Sequence, residues 1–303
     1  MNAGTTVPFI DIERCTGCGR CVSCCPVETL SLIDGKAVVT GICSLGCGHC
    51  SAACPEDAIF VPDLEVKNLL FETLQVDRSW IPPGKAEAGE LVRLMASRRS
   101  CRSFLPRPVG LSTLRDLVRA GITAPSGTNS QRWVFTVLAS RKAVERLGDG
   151  IAAFFKRLNR LAGRTVVRRV LKLLGKKELD RYYREHYESV REALRDWDGR
   201  RRDRLFHGAP AVIIIGSHPG GSCPSEDALL AAQNILLAAH AMGLGTCLIG
   251  FAVKAMKRDR RIARQIGILD CEGIYAVIAL GYTEERYERT AGRRSPAVRF
   301  VEA

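Results

Sequence analysis

A chain of 303 residues with 46% hydrophobic and 25% charged side chains has the balance of a globular protein, long enough for two domains, which excludes wholesale disorder. No stretch reaches the ~18 uninterrupted apolar residues of a membrane span, and residues 1–14 lack a cationic start followed by an apolar run, so the cytoplasm is the expected location. The formal net charge is +13, and residues 141–204 hold 20 Lys or Arg against 10 Asp or Glu, a balance that favours an anionic partner or a solvated helical face.

Nine of the 13 cysteines fall between Cys15 and Cys54. A reducing compartment disfavours disulfides, so this density points to metal ligation. Cys15, Cys18, Cys21 and Cys25, followed by Pro26, form the Cys-x2-Cys-x2-Cys-x3-Cys-Pro run of bacterial ferredoxins. Cys43, Cys47, Cys50 and Cys54, followed by Pro55, repeat it at an offset of 29, except that Cys43 sits one residue early. Short loops let three thiolates converge on one cluster, and in two-cluster ferredoxins the fourth comes from the other run. The expected sets are therefore Cys15, Cys18, Cys21 and Cys54 on one 4Fe-4S cluster, and Cys43, Cys47, Cys50 and Cys25 on the second. Cys24 is a spare, because Pro26 marks Cys25 as the ligand. The competing reading is a pair of structural zinc sites, each built from four cysteines, which fits poorly with two Cys-Pro ends and an internal repeat. Residues 1–62 form this first domain, a conduit for single electrons with no substrate pocket of its own.

Residues 63–89 read as a linker that contains the break Trp80-Ile81-Pro82-Pro83-Gly84. Beyond it, helical patterns cover 90–97 and 111–121, and short buried strands cover 134–139, 211–216 and 274–281. A long apolar helix covers 227–243. This mixture implies an α/β or α+β sandwich, a sheet covered by helices, over residues 90–303.

Two motifs in this part carry chemistry. Ser97-Arg98-Arg99-Ser100-Cys101-Arg102 places three guanidinium groups and a hydroxyl at a helix end, suited to a phosphate dianion. Pro125-Ser126-Gly127-Thr128-Asn129-Ser130-Gln131-Arg132-Trp133 is a polar loop whose amides can read the rim of a flat heterocycle. With Gln233-Asn234, Gly243-Leu244-Gly245-Thr246, Ala279-Leu280-Gly281-Tyr282 and the closing Arg294-x-Pro296, this ordered set resembles the nitroreductase family, over roughly residues 90–303. The resemblance implies an α+β, FMN-binding homodimer with flavin sites at the subunit interface and a carboxy-terminal arm around the partner. It further implies that Arg98, Arg99, Ser100 and Arg102 hold the FMN phosphate and ribityl chain, with Arg294 as a second phosphate contact. Pro125, Ser126, Gly127, Asn129 and Gln131 would line the isoalloxazine ring, and Leu248, Ile249 and Gly250 would lie near its N5. Two positions depart from the family pattern: Arg132 replaces a proline, and Ile249 replaces an acidic residue found in many members.

Residues 151–177 carry an apolar stripe with a cationic opposite face, read as core packing, a lid over the flavin or a docking face. His207, His218 and His240 show no ligand or triad spacing. The implied function is an iron-sulfur flavoprotein: two 4Fe-4S clusters relay electrons to FMN, which reduces a nitroaromatic, quinone or activated alkene by hydride transfer from N5. Ferredoxin, flavodoxin or NAD(P)H is the expected donor. The alternative is an electron-transfer protein that serves carriers alone. Nucleic-acid binding lacks any supporting motif despite the charge.

Overall fold

The computed structural model describes residues 7–200 and 202–302; the first six residues of the amino-terminal stretch, Arg201 of the basic segment and Ala303 lie outside it. In the cysteine-rich part, β1 (Phe9–Ile10) pairs antiparallel with β4 (Ile59–Phe60), and β2 (Leu30–Ile33) with β3 (Lys36–Val39). Two short helices, α1 (Arg20–Ser23) and α2 (His49–Ala53), each follow a left-handed glycine, Gly19 (φ 74°) and Gly48 (φ 76°). That conformation costs little only without a Cβ. Glu28 and Asp57 repeat the left-handed geometry at the same offset, each with φ 49°. The sequence repeat is therefore a backbone repeat. Its core is little more than Cys21, Leu30, Ala37, Cys50, Ile59 and Val61, small enough that such a unit ordinarily needs a metal or another staple.

The larger part is built on an antiparallel sheet in the order β5-β6-β8-β7. Its strands are β5 (Trp133–Leu138), β6 (Ala211–Ser217), β7 (Gly245–Leu248) and β8 (Gly273–Gly281). The seven residues of β6 are all buried. Period-2 alternation sends Ala211, Ile213 and Ile215 to one face and Val212 and Ile214 to the other. Each fully buried isoleucine contributes roughly 2 kcal/mol of hydrophobic stabilisation. One face is covered by α4 (Leu111–Gly121) and α9 (Pro224–Ala241), the other by α5 (Arg141–Ala162) and α10 (Gly250–Arg258). Gly216 lies so close to Gly273 that a Cβ would sit 2.2 Å from the Gly273 carbonyl oxygen, and the β6–β8 register shifts there. The remaining helices are α3 (Ala88–Ser97), α6 (Thr165–Leu173), α7 (Glu178–Glu185), α8 (Tyr187–Asp198) and α11 (Arg260–Arg264). This is the α+β arrangement expected. Among the described residues no helix is long and apolar enough to cross a membrane.

The apolar stripe of 151–177 divides. Ile151 and Phe155 are buried in the core, with Phe154 and Leu158 packed against it, whereas Val166, Val170, Leu173 and Leu174 are exposed. Much of the surrounding charge is paired locally: Lys156 with Asp198, Arg157 with Asp259, Arg204 with Asp196 and Glu192.

The segment between the two parts is fastened to α4. The fully buried Asp116 carboxylate accepts hydrogen bonds from the amides of Glu72 (2.8 Å) and Thr73 (2.6 Å), from the Thr73 hydroxyl (2.6 Å) and from Arg119 (2.8 Å). Burial pushes the Asp116 carboxyl up, but these donors outweigh it and hold the group at about 2, below its ordinary 3.8. An Asp116→Ala protein should lose about 3 kcal/mol in denaturant unfolding. Because the folded-state value is depressed, this contribution is complete above about pH 4. The stability difference between wild type and Asp116→Asn should shrink as pH falls from 4 towards 2.

Candidate functional site

The eight Cys-Pro-run cysteines separate into two groups. Cys15, Cys18, Cys21 and Cys54 line one cavity, and Cys25, Cys43, Cys47 and Cys50 line another. Each group therefore draws its fourth thiol from the other run. Backbone amides point at several sulfurs: Ala37 at Cys15 (3.5 Å), Thr29 at Cys25 (3.2 Å) and Ala58 at Cys54 (3.3 Å). Thr29 and Ala58 are again related by the repeat. The Ala37 and Gly17 amides hold the Cys15 thiol below its ordinary value. At Cys25 burial acts upward, but the Thr29 amide and its other donors prevail and lower it. Burial raises the Cys21 thiol and pushes Cys50 up to about 11, a cost of ionisation that a bound cation would offset. Among the described residues no three His, Cys, Asp or Glu side chains are grouped to hold a single ion.

The arginine motif closes onto the β7 edge of the sheet. Ser100 forms a parallel bridge with Thr246, and the Cys101 amide donates to the Thr246 carbonyl at 2.9 Å. The Arg102 amide donates to Glu285 Oε1 at 3.1 Å. Burial pushes the Glu285 carboxyl up, but that amide and the Tyr287 hydroxyl hold it below the usual range. The Thr246 hydroxyl is buried beside Ser100 without a hydrogen-bond partner among the described residues, an orphaned donor suited to a ligand oxygen. Leu248 ends β7, the Ile249 amide donates to the Val277 carbonyl at 2.8 Å, and Gly250 opens α10. Burial raises the Cys247 thiol, opposed by the nearby charges of Arg102 and Arg98. Residues 98–102 and 245–250 thus form one neighbourhood.

The polar loop belongs to a different one. The buried Asp227, in the first turn of α9, accepts from the Gly127 amide (2.8 Å) and the Ser130 hydroxyl (3.4 Å), while its own carbonyl accepts from the Trp133 indole (3.1 Å). Thr128, Asn129 and Gln131 are left-handed (φ 52°, 53° and 46°), strain of the kind that gathers at working sites. The Ser126 hydroxyl accepts from the Gln131 amide at 3.0 Å. Asn129 Oδ1 accepts from Gln131 Nε2 at 3.0 Å, and Asn129 Nδ2 donates to the carbonyls of Gly46 (2.9 Å) and Leu45 (3.4 Å) in the cysteine-rich part. The loop is tied to the first turn of α9, whereas Ser100 is tied just past its last. The 18 residues of α9 span roughly 27 Å, so one chain does not bring 98–102 and 125–131 together. Arg294 lies in the exposed carboxy-terminal tail. Arg132 donates to the Pro219 carbonyl at 3.1 Å. Burial pushes the His207 imidazole down.

Asp227 and Glu285 are site-shaping residues that motif reasoning did not single out, and Thr246 entered it only as the end of Gly243-Leu244-Gly245-Thr246, without a role. An acidic residue in the first turn of a helix reads as a complement to the helix dipole, and nothing local reveals that its carboxylate holds a loop 100 residues away.

The family profile described as the Nitroreductase family matches residues 95–282. The chain is 31% identical over 225 residues to a 4-nitrobenzoate reductase of Nocardioides sp. (strain LMS-CY), covering 69% of this chain and 87% of that protein. It is 62% identical over 29 residues to ferredoxin-3 of Desulfocurvibacter africanus, covering 10% of this chain and about half (48%) of the ferredoxin. The fold superposes on an FMN-bound nitroreductase of Bacteroides fragilis NCTC 9343 with a TM-score of 0.51 and 19% identity, over 70% of this chain and 99% of that one.

Replacing Asp227 by Ala should free the loop without touching β6. A hydrogen bond to a charged acceptor is worth about 1.5–3 kcal/mol, so amide exchange at Gly127 should accelerate at least ~10-fold while exchange in 211–217 stays unchanged, as read by hydrogen-exchange mass spectrometry.

Proposed function

The chain belongs to the nitroreductase family, and we propose that it is an FMN-dependent oxidoreductase carrying two 4Fe-4S clusters that feed its flavin. The observation that carries this reading is the grouping of eight cysteines around two cavities, with the loop of one in contact with the Ser126–Gln131 stretch. Cys15, Cys18, Cys21 and Cys54 would hold one cluster, and Cys25, Cys43, Cys47 and Cys50 the other. When bound, the clusters supply single electrons, and FMN supplies the conversion of single electrons into hydride transfer from N5 to a small acceptor.

The residues present fit FMN. Arg98, Arg99 and Arg102 would neutralise its phosphate with charge-assisted bonds, and Ser100 with the orphaned Thr246 hydroxyl would bind adjacent oxygens. Leu248, Ile249 and Gly250 would wall the N5 side and exclude water. Pro125, Ser126, Gly127 and Gln131 would line the ring from a second chain, since α9 separates the two half-sites of one chain. A homodimer is further supported by exposed apolar side chains on α3 (Leu91, Val92, Met95), on α9 (Leu229, Leu230) and in the tail (Val298, Phe300, Val301), where Arg294 also lies.

The acceptor class is a nitroaromatic, quinone or activated alkene; the relative named for 4-nitrobenzoate favours the first. The donor is reduced ferredoxin, flavodoxin or NAD(P)H, and the basic 141–204 segment suits an acidic carrier protein.

Anaerobically prepared protein should contain iron, sulfide and FMN, sediment at twice the chain mass, and show a flavin band above a broad iron-sulfur shoulder. Two charge-assisted bonds lost in Arg98→Ala/Arg99→Ala should weaken FMN binding ~100-fold or more, as followed by flavin fluorescence. A preparation without flavin and iron would sink the assignment.

A further inference from the structure

The two cysteine runs differ by one residue, and the fold places that difference at a junction. In the first run Cys15 and Cys18 are separated by Thr16 and Gly17; in the second, Cys43 and Cys47 are separated by Ser44, Leu45 and Gly46. Gly17 and Gly46 are equivalent under the repeat and both left-handed, with φ 70° and 53°. Yet their surroundings differ. Gly17 packs on the turn between β2 and β3, where a Cβ would lie 1.9 Å from the Gly35 carbonyl oxygen. The lengthened loop instead turns its Leu45 and Gly46 carbonyls outward to Asn129 Nδ2.

Asn129 is prepared for this contact. A carboxamide has two N–H donors, and here its nitrogen serves the two carbonyls of the cysteine loop while its oxygen accepts from Gln131. Asn tolerates the left-handed backbone better than most residues. Asp227 steadies the same loop from behind. Its carboxamide nitrogen and oxygen are thus both engaged, which makes Asn129 a strut between the two parts.

We propose that Asn129 clamps the Cys43–Cys47 loop onto the flavin-side loop, so that the cluster of Cys25, Cys43, Cys47 and Cys50 is the inner one and that of Cys15, Cys18, Cys21 and Cys54 the outer. This rests on the function proposed above and orders its electron path. Cys18 of the outer set is exposed, as an entry point requires. When bound there, the inner cluster would supply single electrons to the flavin, whose full reduction takes two electrons and two protons. The electrons come from an external one-electron reductant.

Asn129→Asp tests this with little steric change. It keeps an acceptor for Gln131 Nε2 and tolerates the same backbone, but sets a carboxylate against two carbonyl oxygens. In the holoprotein, amides 44–47 should exchange at least ~10-fold faster. After mixing with dithionite, flavin bleaching should lag cluster bleaching at least ~10-fold more than in wild type, with iron content unchanged and FMN affinity within ~2-fold. Weakened FMN binding with unchanged exchange at 44–47 would make Asn129 a flavin ligand and overturn the clamp. Faster exchange with an unchanged lag would overturn the electron order alone. Wild-type protein lacking iron would overturn the proposed function together with this path.

Discussion

The Asp227 carboxylate is the constraint on which the arrangement of the polar loop depends. From the first turn of α9 it fixes the Gly127 amide and the Ser130 hydroxyl, and with both ends of the loop held, three non-glycine residues remain in left-handed conformations that a free loop would relax. In this conformation the Asn129 amide reaches the carbonyls of Leu45 and Gly46. Because α9 is itself packed on β6 and β8, the position of the cysteine-rich part is referred back to the most buried strand in the molecule.

A second fixed point, Asp116, holds the connecting segment against α4. The two anchors act on the same problem: a small unit with a minimal core is held against the larger part from two sides. Hydrogen bonds to buried carboxylates do this well, since a buried charge that loses its partners is costly.

The sheet also separates the two motifs within one chain. The arginine motif is stitched to β7 through Thr246, and the polar loop is stitched to the far end of α9. In the homodimer proposed above, two-fold symmetry would bring one such stretch from each chain to each site. Exposed apolar side chains on α3, α9 and the tail would supply the area such a contact removes from water.

Much of this was legible in the sequence. Cysteine spacing and the offset-29 repeat are local, and the backbone repeats them in the paired left-handed positions of Gly19 and Gly48. Hydrophobic periodicity located 111–121 with the same bounds as α4 and placed β6, β8 and α9 to within a few residues. The four-residue β7 carries too short a pattern to be read, and the stripe of 151–177 is half core and half surface because periodicity reports an apolar face without saying what covers it. The sequence by itself determined residue chemistry and element type, since both follow from side chains a few positions apart. Only the tertiary structure decided that Asp227 holds Gly127, that Glu285 meets Arg102 and that Asn129 reaches Gly46, because these pairs are 83 to 183 residues apart and no local pattern encodes which distant backbone a side chain will meet.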